Sequence, residues 1–172
     1  MSSGKNLVLI GFMGTGKTSV GKLLAARLGR PAVDIDAYIE DSQKKKISRI
    51  FEESGEAHFR TLEKKAVADV ARSDGQVITT GGGVVLDPGN LQNLRSQGIL
   101  IALTATPETI FRRVKNSRRR PLLSGGDMLS EIRRLHDARR PLYEAAEYTF
   151  DTDGCTPAQV ADKILETLEG KL

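Results

Sequence analysis

The stretch Gly11–Ser19, GFMGTGKTS, directly follows the apolar run Leu7–Ile10 and matches the pattern G-x-x-x-x-G-K-[ST]. A buried strand before this pattern and a helix after it are typical of a phosphate-binding loop. Glycines let successive backbone N–H groups point inward, and the start of the following helix adds the positive end of its dipole. The stretch therefore predicts that a chain of phosphates is bound here.

Two side chains in this stretch add chemistry to the backbone. Lys17 supplies a positive charge for the outer phosphates, and the hydroxyl of Thr18 is a suitable ligand for Mg²⁺. The sequence thus predicts a bound phosphate chain with Mg²⁺ as its ion. The predicted phosphate contacts of this segment are Gly14, Thr15, Gly16, Lys17, Thr18 and Ser19.

Length and composition suit one globular domain spanning residues 1–172. Hydrophobic residues make up 39% of the chain and charged residues 28%, and a chain of this size can bury a substantial core. The net charge of +4 fits either nucleic acid or several arginines placed around small anions. Aromatic residues are only 5% and tryptophan is absent, which argues against a base-stacking surface and hence against nucleic acid.

The cellular compartment is predicted from features that the sequence does not contain. Its apolar runs are only as long as strands, so we expect no membrane partner. Residues 1–6 lack the apolar core of a signal peptide, and the single cysteine, Cys155, cannot form an internal disulfide. We therefore expect a cytoplasmic protein, and a monomer.

Short apolar runs alternate with stretches of helical periodicity, a pattern that predicts an α/β fold with a parallel sheet. Gly55 and Pro141 are expected to interrupt helices, whereas Gly29 and Pro107 suit a helix end and a helix start. Residues 116–127 carry a proline and a glycine pair without periodicity, which predicts a mobile loop. The expected strands are Leu7–Ile10, Ala32–Ile35, Val77–Thr80, Ile99–Leu103 and Tyr148–Phe150.

Two carboxylates, Asp34 and Asp36, end the second predicted strand. In an extended segment residues two apart face the same side, so both carboxylates can point into one cleft. One would orient Mg²⁺ through water, and the other would accept the proton of a hydroxyl group. Either or both could instead cap a helix beginning at Ala37, because Asp serves well at helix starts.

Three further features suggest a second binding region. Arg60 lies one helical turn before Glu63, a spacing at which the acid can hold the guanidinium. Gly81–Gly83 follows the third strand and allows close approach of a ligand to the backbone. Arg139 follows the predicted loop, and two converging arginines favour a carboxylate because their planar groups pair with it bidentately.

Taken in order, these motifs make the chain resemble the shikimate kinases over nearly its whole length. The similar segments are LIGFMGTGKTSVGKLLA, DIDAYIE, IFEESGEAHFRTLE, VITTGGGVV, RRPLL and RRPLYEAA. The resemblance implies a P-loop NTPase fold like that of nucleoside monophosphate kinases, with a five-stranded parallel sheet flanked by helices and a mobile lid. It also implies transfer of the γ-phosphoryl group of ATP to the 3-hydroxyl of shikimate, in the biosynthesis of aromatic amino acids.

On the nucleotide side, the resemblance assigns roles to five residues. Lys17 would steady the β- and γ-phosphates, Thr18 would ligate Mg²⁺, and Asp34 would bind the waters of the metal. Arg113 would lie against the face of the adenine, and Thr156 would lie near the base. The segment from Asp151 to Pro157 varies within the family, so it leaves the details of the adenine pocket open.

On the acceptor side, the resemblance implies a substrate-binding helical region of about residues 36–62. Asp36 would hold the ring hydroxyls of shikimate and is the candidate base. Arg60 and Arg139 would bind its carboxylate, and Phe59 would pack beside its ring. The resemblance also places the backbone of Gly81, Gly82 and Gly83 beside shikimate, where the N–H of Gly82 would donate to a ring hydroxyl.

Arg120 is the arginine that the resemblance assigns to catalysis. It directly precedes Pro121, and it would move in with the lid at about residues 116–127 and neutralise charge in the transition state. The neighbouring Arg118 and Arg119 leave open which arginine reaches the phosphates if Arg120 does not. The predicted catalytic residues are therefore Lys17, Asp36 and Arg120.

Two alternative functions remain at this point. Another P-loop kinase for a small metabolite, such as a gluconate or nucleotide kinase, would share the phosphate loop but need other acceptor contacts. An ATP-binding module without catalysis would be expected to lack the acceptor-side acid or the lid arginine, and this chain has Asp36 and Arg120.

Overall fold

A computed structural model of the protein describes residues 4–116 and 127–172, which form a parallel sheet with helices on both faces. Its strands are β1 (Asn6–Gly11), β2 (Ala32–Asp34), β3 (Val77–Thr79), β4 (Gly98–Thr104) and β5 (Tyr148–Asp151). Its helices are α1 (Lys17–Leu28), α2 (Ile35–Gln43), α3 (Ile47–Val70), α4 (Pro88–Ser96), α5 (Pro107–Val114), α6 (Met128–Tyr143) and α7 (Pro157–Thr167), with a 3₁₀ turn at Val84–Leu86.

The sheet has the strand order β2-β3-β1-β4-β5, and every neighbouring pair is parallel. β1 occupies the centre and is buried along its whole length. Its side chains alternate between the two faces. Val8 and Ile10 join one apolar cluster, whereas Leu7 and Leu9 join the other with α1 and α7. The predicted five-stranded parallel sheet is confirmed.

The end of the second strand differs from the prediction. β2 stops at Asp34, and Ile35 already begins helix α2. The reason is that the side chain of Asp34 accepts a hydrogen bond of 2.9 Å from the backbone N–H of Ala37 and so caps the helix. Asp36 therefore lies in the first helical turn, and the extended geometry expected for Asp34 and Asp36 is wrong.

Four predicted helix signals can be compared with the structure. Gly29 ends α1 in the left-handed conformation with φ of 62°, and Pro107 occupies the first turn of α5, both as predicted. Gly55, with φ of 78°, interrupts the helical backbone inside α3. The break expected at Pro141 is wrong, because α6 continues to Tyr143. Proline removes one backbone donor, and here it does so within the last turn of the helix.

The predicted lid lies outside the described residues except at its two ends, Asn116 and Asp127. Asp127 caps α6 by accepting a hydrogen bond from the backbone N–H of Ser130. Within the described ranges, we find no helix that combines the length and the apolar character needed to cross a membrane.

Gly21 determines how closely α1 packs on β3. A methyl group at this position would lie 2.3 Å from Cγ2 of Thr79, whose hydroxyl is bonded to Asp34. We expect Gly21→Ala to lower the free energy of unfolding by about 1–2 kcal/mol, since overpacking outweighs the gain in helix propensity. Chemical denaturation measures this change.

Thr79→Ser provides the matched background, because it removes the clashing methyl group and keeps the hydroxyl. In the Thr79→Ser background, Gly21→Ala should leave the free energy of unfolding unchanged or raise it. An equal cost in both backgrounds would show that the two side chains do not interact.

Candidate active site

The phosphate loop has the backbone geometry that its sequence predicts. Gly14 and Gly16 adopt φ of 75° and 95°, a region open mainly to glycine. Lys17 is buried, and its ammonium group donates hydrogen bonds of 2.8 and 2.9 Å to the carbonyl oxygens of Gly11 and Phe12. The ammonium group is thus held inside the curve of the loop, where the outer phosphates of a nucleotide would lie.

Asp34 connects the loop to the neighbouring strand. Its Oδ2 accepts hydrogen bonds from the hydroxyl of Thr79, at 2.7 Å, and from that of Thr18, at 3.4 Å. The predicted neighbourhood of Thr18 and Asp34 is therefore present. Asp34 also caps α2, because its side chain accepts a hydrogen bond from the backbone N–H of Ala37. The role of Thr79 was missed by sequence reasoning, because no motif marks a threonine at the end of β3.

Asp36 faces a different part of the cleft from Asp34. A Cβ built on Gly81 would lie 3.0 Å from Oδ1 of Asp36 and 3.5 Å from Oε2 of Glu63. Asp36 and Glu63 therefore both border the glycine turn that follows β3. Although the extended geometry is wrong, the first turn of α2 still brings Asp36 to the edge of the sheet where β2 and β3 end.

Arg60 and Glu63 form the predicted ion pair, with 2.9 Å between Nη1 and Oε1. Nη2 of Arg60 also contacts Glu56 at 3.2 Å. A Cβ on Gly83 would lie within 2.6 Å of three guanidinium atoms, so a side chain at this position would push the guanidinium of Arg60 aside. Arg60 Nε and Glu63 Oε2 are both buried and have no hydrogen-bond partner within residues 4–116 and 127–172.

Arg139 reaches the same region from α6. It is 6% exposed, and its guanidinium carbon lies 5.9 Å from the ring centre of Phe12. Burial raises the pKa of the Glu63 carboxyl, and the positive charges of Arg60 and Arg139 oppose that rise. The two arginines thus act on one carboxyl group, and their convergence on the cleft, which sequence spacing could not establish, is a feature of the fold.

Phe59 and Tyr143 complete the surroundings of these arginines. Phe59 is buried and packs against Phe51, with ring centres 4.9 Å apart. The hydroxyl of Tyr143 donates a hydrogen bond of 2.5 Å to the carbonyl oxygen of Gly82. The contact of Tyr143 was missed by sequence reasoning, although the residue follows Arg139 by four positions and so lies on the same side of α6.

On the nucleotide side, Arg113 ties two loops together. Its guanidinium donates to the carbonyl oxygen of Gly14 and to both the hydroxyl and the carbonyl oxygen of Thr152, each at 3.0 Å. Thr156 caps α7 and exchanges hydrogen bonds with Gln159. The predicted adenine contacts of Arg113 and Thr156 stay predictions, and Arg120 lies outside the described residues.

A separate cavity of about 410 Å³ lies beside the loop, between the ends of β4 and β5 and helix α6. Its lining includes Phe12, His136 and Tyr143. The ring of His136 contacts Phe12 edge to face, with centres 5.7 Å apart. The described part of the lining contains neither Lys17 nor Arg60, so we place the candidate active site in the adjacent cleft.

The sequence matches a family model described as shikimate kinase over residues 13–169. Among curated relatives, the shikimate kinase of Thermodesulfovibrio yellowstonii is 46% identical over 165 residues, covering 96% of this chain and 95% of the relative. That of Pelotomaculum thermopropionicum is 47% identical, covering 96% of each.

Solved structures give the same result. Shikimate kinase from Acinetobacter baumannii in complex with shikimate superposes with a TM-score of 0.94 at 36% identity, covering 99% of this chain and 96% of that one. A gluconokinase from Sinorhizobium meliloti superposes with a TM-score of 0.62 at 16% identity, covering 97% and 92%. The second likeness shows a shared fold alone.

Glu63 should give stability a characteristic dependence on pH. Its pKa is raised above 4.5 by burial, so above that pH the unfolded chain releases the proton first and the folded state loses stability. Glu63→Gln cannot ionise. We therefore expect the free energy of unfolding of the variant minus that of the wild type to rise as pH increases from 4.5, which chemical denaturation between pH 4 and 8 measures.

Glu56→Gln is the matched control, because it changes the more exposed acid that contacts the same guanidinium. A difference between Glu63→Gln and the wild type that stays flat, or that falls with pH, would contradict the expected effect of burial.

Proposed function

The chain belongs to the shikimate kinase family, and from this membership we propose that it transfers the γ-phosphoryl group of ATP to the 3-hydroxyl of shikimate. The products are ADP and shikimate 3-phosphate, in the biosynthesis of chorismate and the aromatic amino acids. One observation carries the proposal. The glycine turn lies between the two proposed ends of the site: a Cβ on Gly82 would lie 3.1 Å from the backbone N of Met13 in the phosphate loop, and one on Gly83 would lie within 2.6 Å of the guanidinium of Arg60.

At the phosphate end, backbone N–H groups from Gly14 to Ser19 would bind the phosphates together with Lys17. The carbonyl oxygens that now accept from the ammonium group hold it close to the position required. Arg113 supports the loop through the Gly14 carbonyl, and we place its guanidinium beside the adenine. We assign Thr156 to the edge of the adenine pocket, because it begins α7 at the end of the variable segment.

The residues at this end also suit Mg²⁺. The hydroxyl of Thr18 and the carboxylate of Asp34 lie side by side, and oxygen ligands of this kind are the ones that Mg²⁺ prefers. Thr18 would bind the ion directly and Asp34 through water. When bound, the ion neutralises charge on the β- and γ-phosphates.

At the acceptor end, Nε of Arg60 and Oε2 of Glu63 have no hydrogen-bond partner among the described residues, which supports a polar ligand. A buried donor without a partner costs about 1–3 kcal/mol, and a bound carboxylate and hydroxyl groups would remove that cost. Arg60 and Arg139 would therefore bind the carboxylate of shikimate. Asp36 and the N–H of Gly82 would bind ring hydroxyls.

The remaining contacts with the ring would come from nonpolar surface and backbone. Phe59 would present an edge of its buried ring to shikimate, next to the guanidinium of Arg60, which lies 5.2 Å from the ring centre of Phe59. Gly81 and Gly83 would allow the substrate to lie close to the main chain. Phe59 and Arg60 lie within the proposed helical substrate region of about residues 36–62, whereas the glycine turn lies outside it.

The reaction forms a bond between the 3-oxygen of shikimate and the γ-phosphorus and breaks the bond from that phosphorus to the β,γ-bridging oxygen. The proton of the hydroxyl passes to Asp36, and ADP leaves with the bridging oxygen. The transition state of such transfers is loose, so positioning and charge neutralisation provide most of the acceleration. Lys17 would supply positive charge in addition to that of Mg²⁺, and we assign a further part to Arg120 of the lid.

The wider properties are proposals of the same kind. We propose one kinase domain over residues 1–172, a lid at about residues 116–127, and a monomer, because both ends of the cleft come from one chain. A cytoplasmic location is supported by the single cysteine, and the low aromatic content supports the absence of nucleic-acid partners. We also propose that the protein has no membrane partner.

The proposed function is tested by measuring ADP release with ATP and Mg²⁺ in the presence of shikimate, gluconate, nucleoside monophosphates or no acceptor. We expect release to depend on shikimate alone, and we expect Asp36→Asn to lower kcat by about 10²–10⁴-fold as the base is lost. Release that depends on gluconate or a nucleotide favours another metabolite kinase. Binding of ATP without release under any condition favours the non-catalytic module.

The assigned arginines should separate into two kinetic classes. Arg60→Ala and Arg139→Ala are expected mainly to raise KM for shikimate, whereas Arg120→Ala should mainly lower kcat, by about 10³–10⁵-fold. Arg140→Ala is the matched control, because Arg140 is exposed and pairs with Glu144. Steady-state kinetics with each substrate varied measure both constants. Similar losses of kcat in all three variants, with KM unchanged, would contradict this division.

A further inference from the structure

Tyr143 joins the end of α6 to the glycine turn that follows β3. The residue is 5% exposed, and its hydroxyl donates to the carbonyl oxygen of Gly82 at 2.5 Å. Burial raises the pKa of the phenol to about 12, although the nearby positive charge of Arg139 opposes this rise. The hydroxyl therefore keeps its proton at neutral pH and remains a donor.

This bond orients the carbonyl group of Gly82, whereas the carbonyl oxygens of Gly81 and Gly83 accept hydrogen bonds from the backbone N–H groups of Val84 and Leu86. The peptide group between Gly82 and Gly83 is planar, so holding the carbonyl oxygen on one side directs the N–H of Gly83 to the opposite side. Three successive glycines restrict their own dihedral angles very little. Gly83 also lies directly against the guanidinium of Arg60, so the orientation of this peptide sets the surface on which Arg60 rests.

Tyr143 also relates the position of Arg139 to that of Arg60. Arg139 precedes Tyr143 by four positions and so lies on the same side of α6. Its charge acts on the Tyr143 phenol, as does that of Arg60. A single hydrogen bond thus connects the helix that carries Arg139 with the turn that contacts Arg60.

We infer that Tyr143 is a positioning residue for the acceptor: it holds the glycine turn against α6 so that the turn and both guanidiniums face one small carboxylate together. The inference rests on the proposed function for the identity of that carboxylate. Tyr143 does not itself touch the substrate, and it acts through Gly82 and through the spacing of Arg60 and Arg139.

The test compares Tyr143→Phe with the wild type in steady-state kinetics. The variant loses one buried hydrogen bond, and we expect this loss to weaken binding of shikimate and of the transition state equally. KM for shikimate should therefore rise by about 5–30-fold. We expect kcat and KM for ATP to stay within about twofold of the wild-type values. Tyr148→Phe is the matched control, because its hydroxyl accepts from Lys171 and its ring packs in the cluster on the other face of the sheet. It should leave every constant unchanged.

A KM for shikimate in Tyr143→Phe within twofold of the wild type would overturn the inference, as would equal rises in KM for both substrates. Activity of the wild type with shikimate is measured in the same series, so failure of the proposed function is seen separately. If Tyr143→Phe does not fold, 4-aminophenylalanine and 4-fluorophenylalanine are placed at position 143. Only the amino group donates, so equal KM values for these two enzymes would also overturn the inference.

Discussion

The geometry of the proposed site depends on the hydrogen bonds that the carboxylate of Asp34 accepts, because they join three elements at the edge of the sheet. The carboxylate accepts hydrogen bonds from Thr18 at the start of α1, from Thr79 at the end of β3 and from the backbone of Ala37 in α2. Because the strands are parallel, the carboxyl end of β3 lies at the same edge of the sheet as the starts of α1 and α2, which follow β1 and β2. The bond that starts α2 also turns Asp36 towards the glycine turn, so one side chain orders both ends of the site.

At the acceptor end, the free-energy cost of burying a carboxyl group is partly offset by two positive charges. Glu63 is 1% exposed, and burying a carboxyl group without compensation is costly. Two guanidiniums offset part of this cost, and in return Glu63 restrains the side chain of Arg60, which has many rotamers in isolation. A planar group that is already held in place loses less entropy when it binds a carboxylate. In the proposed site, Glu63 would therefore contribute to binding by holding Arg60 in place, in addition to any contact made by its own Oε2.

The sequence predicted the phosphate end more completely than the acceptor end. Glycine positions, Lys17 and Thr18 lie within one short segment, so local rules specify their geometry. Asp36 was placed in the right region for a wrong reason, because the sequence does not show which of two acids, Asp34 or Asp36, starts α2. The bond from Tyr143 to the glycine turn spans 61 positions, and only tertiary packing brings such residues together.

This contrast also explains why fold likeness does not identify the acceptor. The overall fold is kept while most of the sequence changes, as a TM-score of 0.62 at 16% identity illustrates. The proposed acceptor contacts come from side chains on α2, α3 and α6, whose mutual positions depend on packing between helices. In the proposed site, we therefore expect acceptor specificity to depend on how accurately Arg60, Arg139 and the glycine turn are held relative to one another.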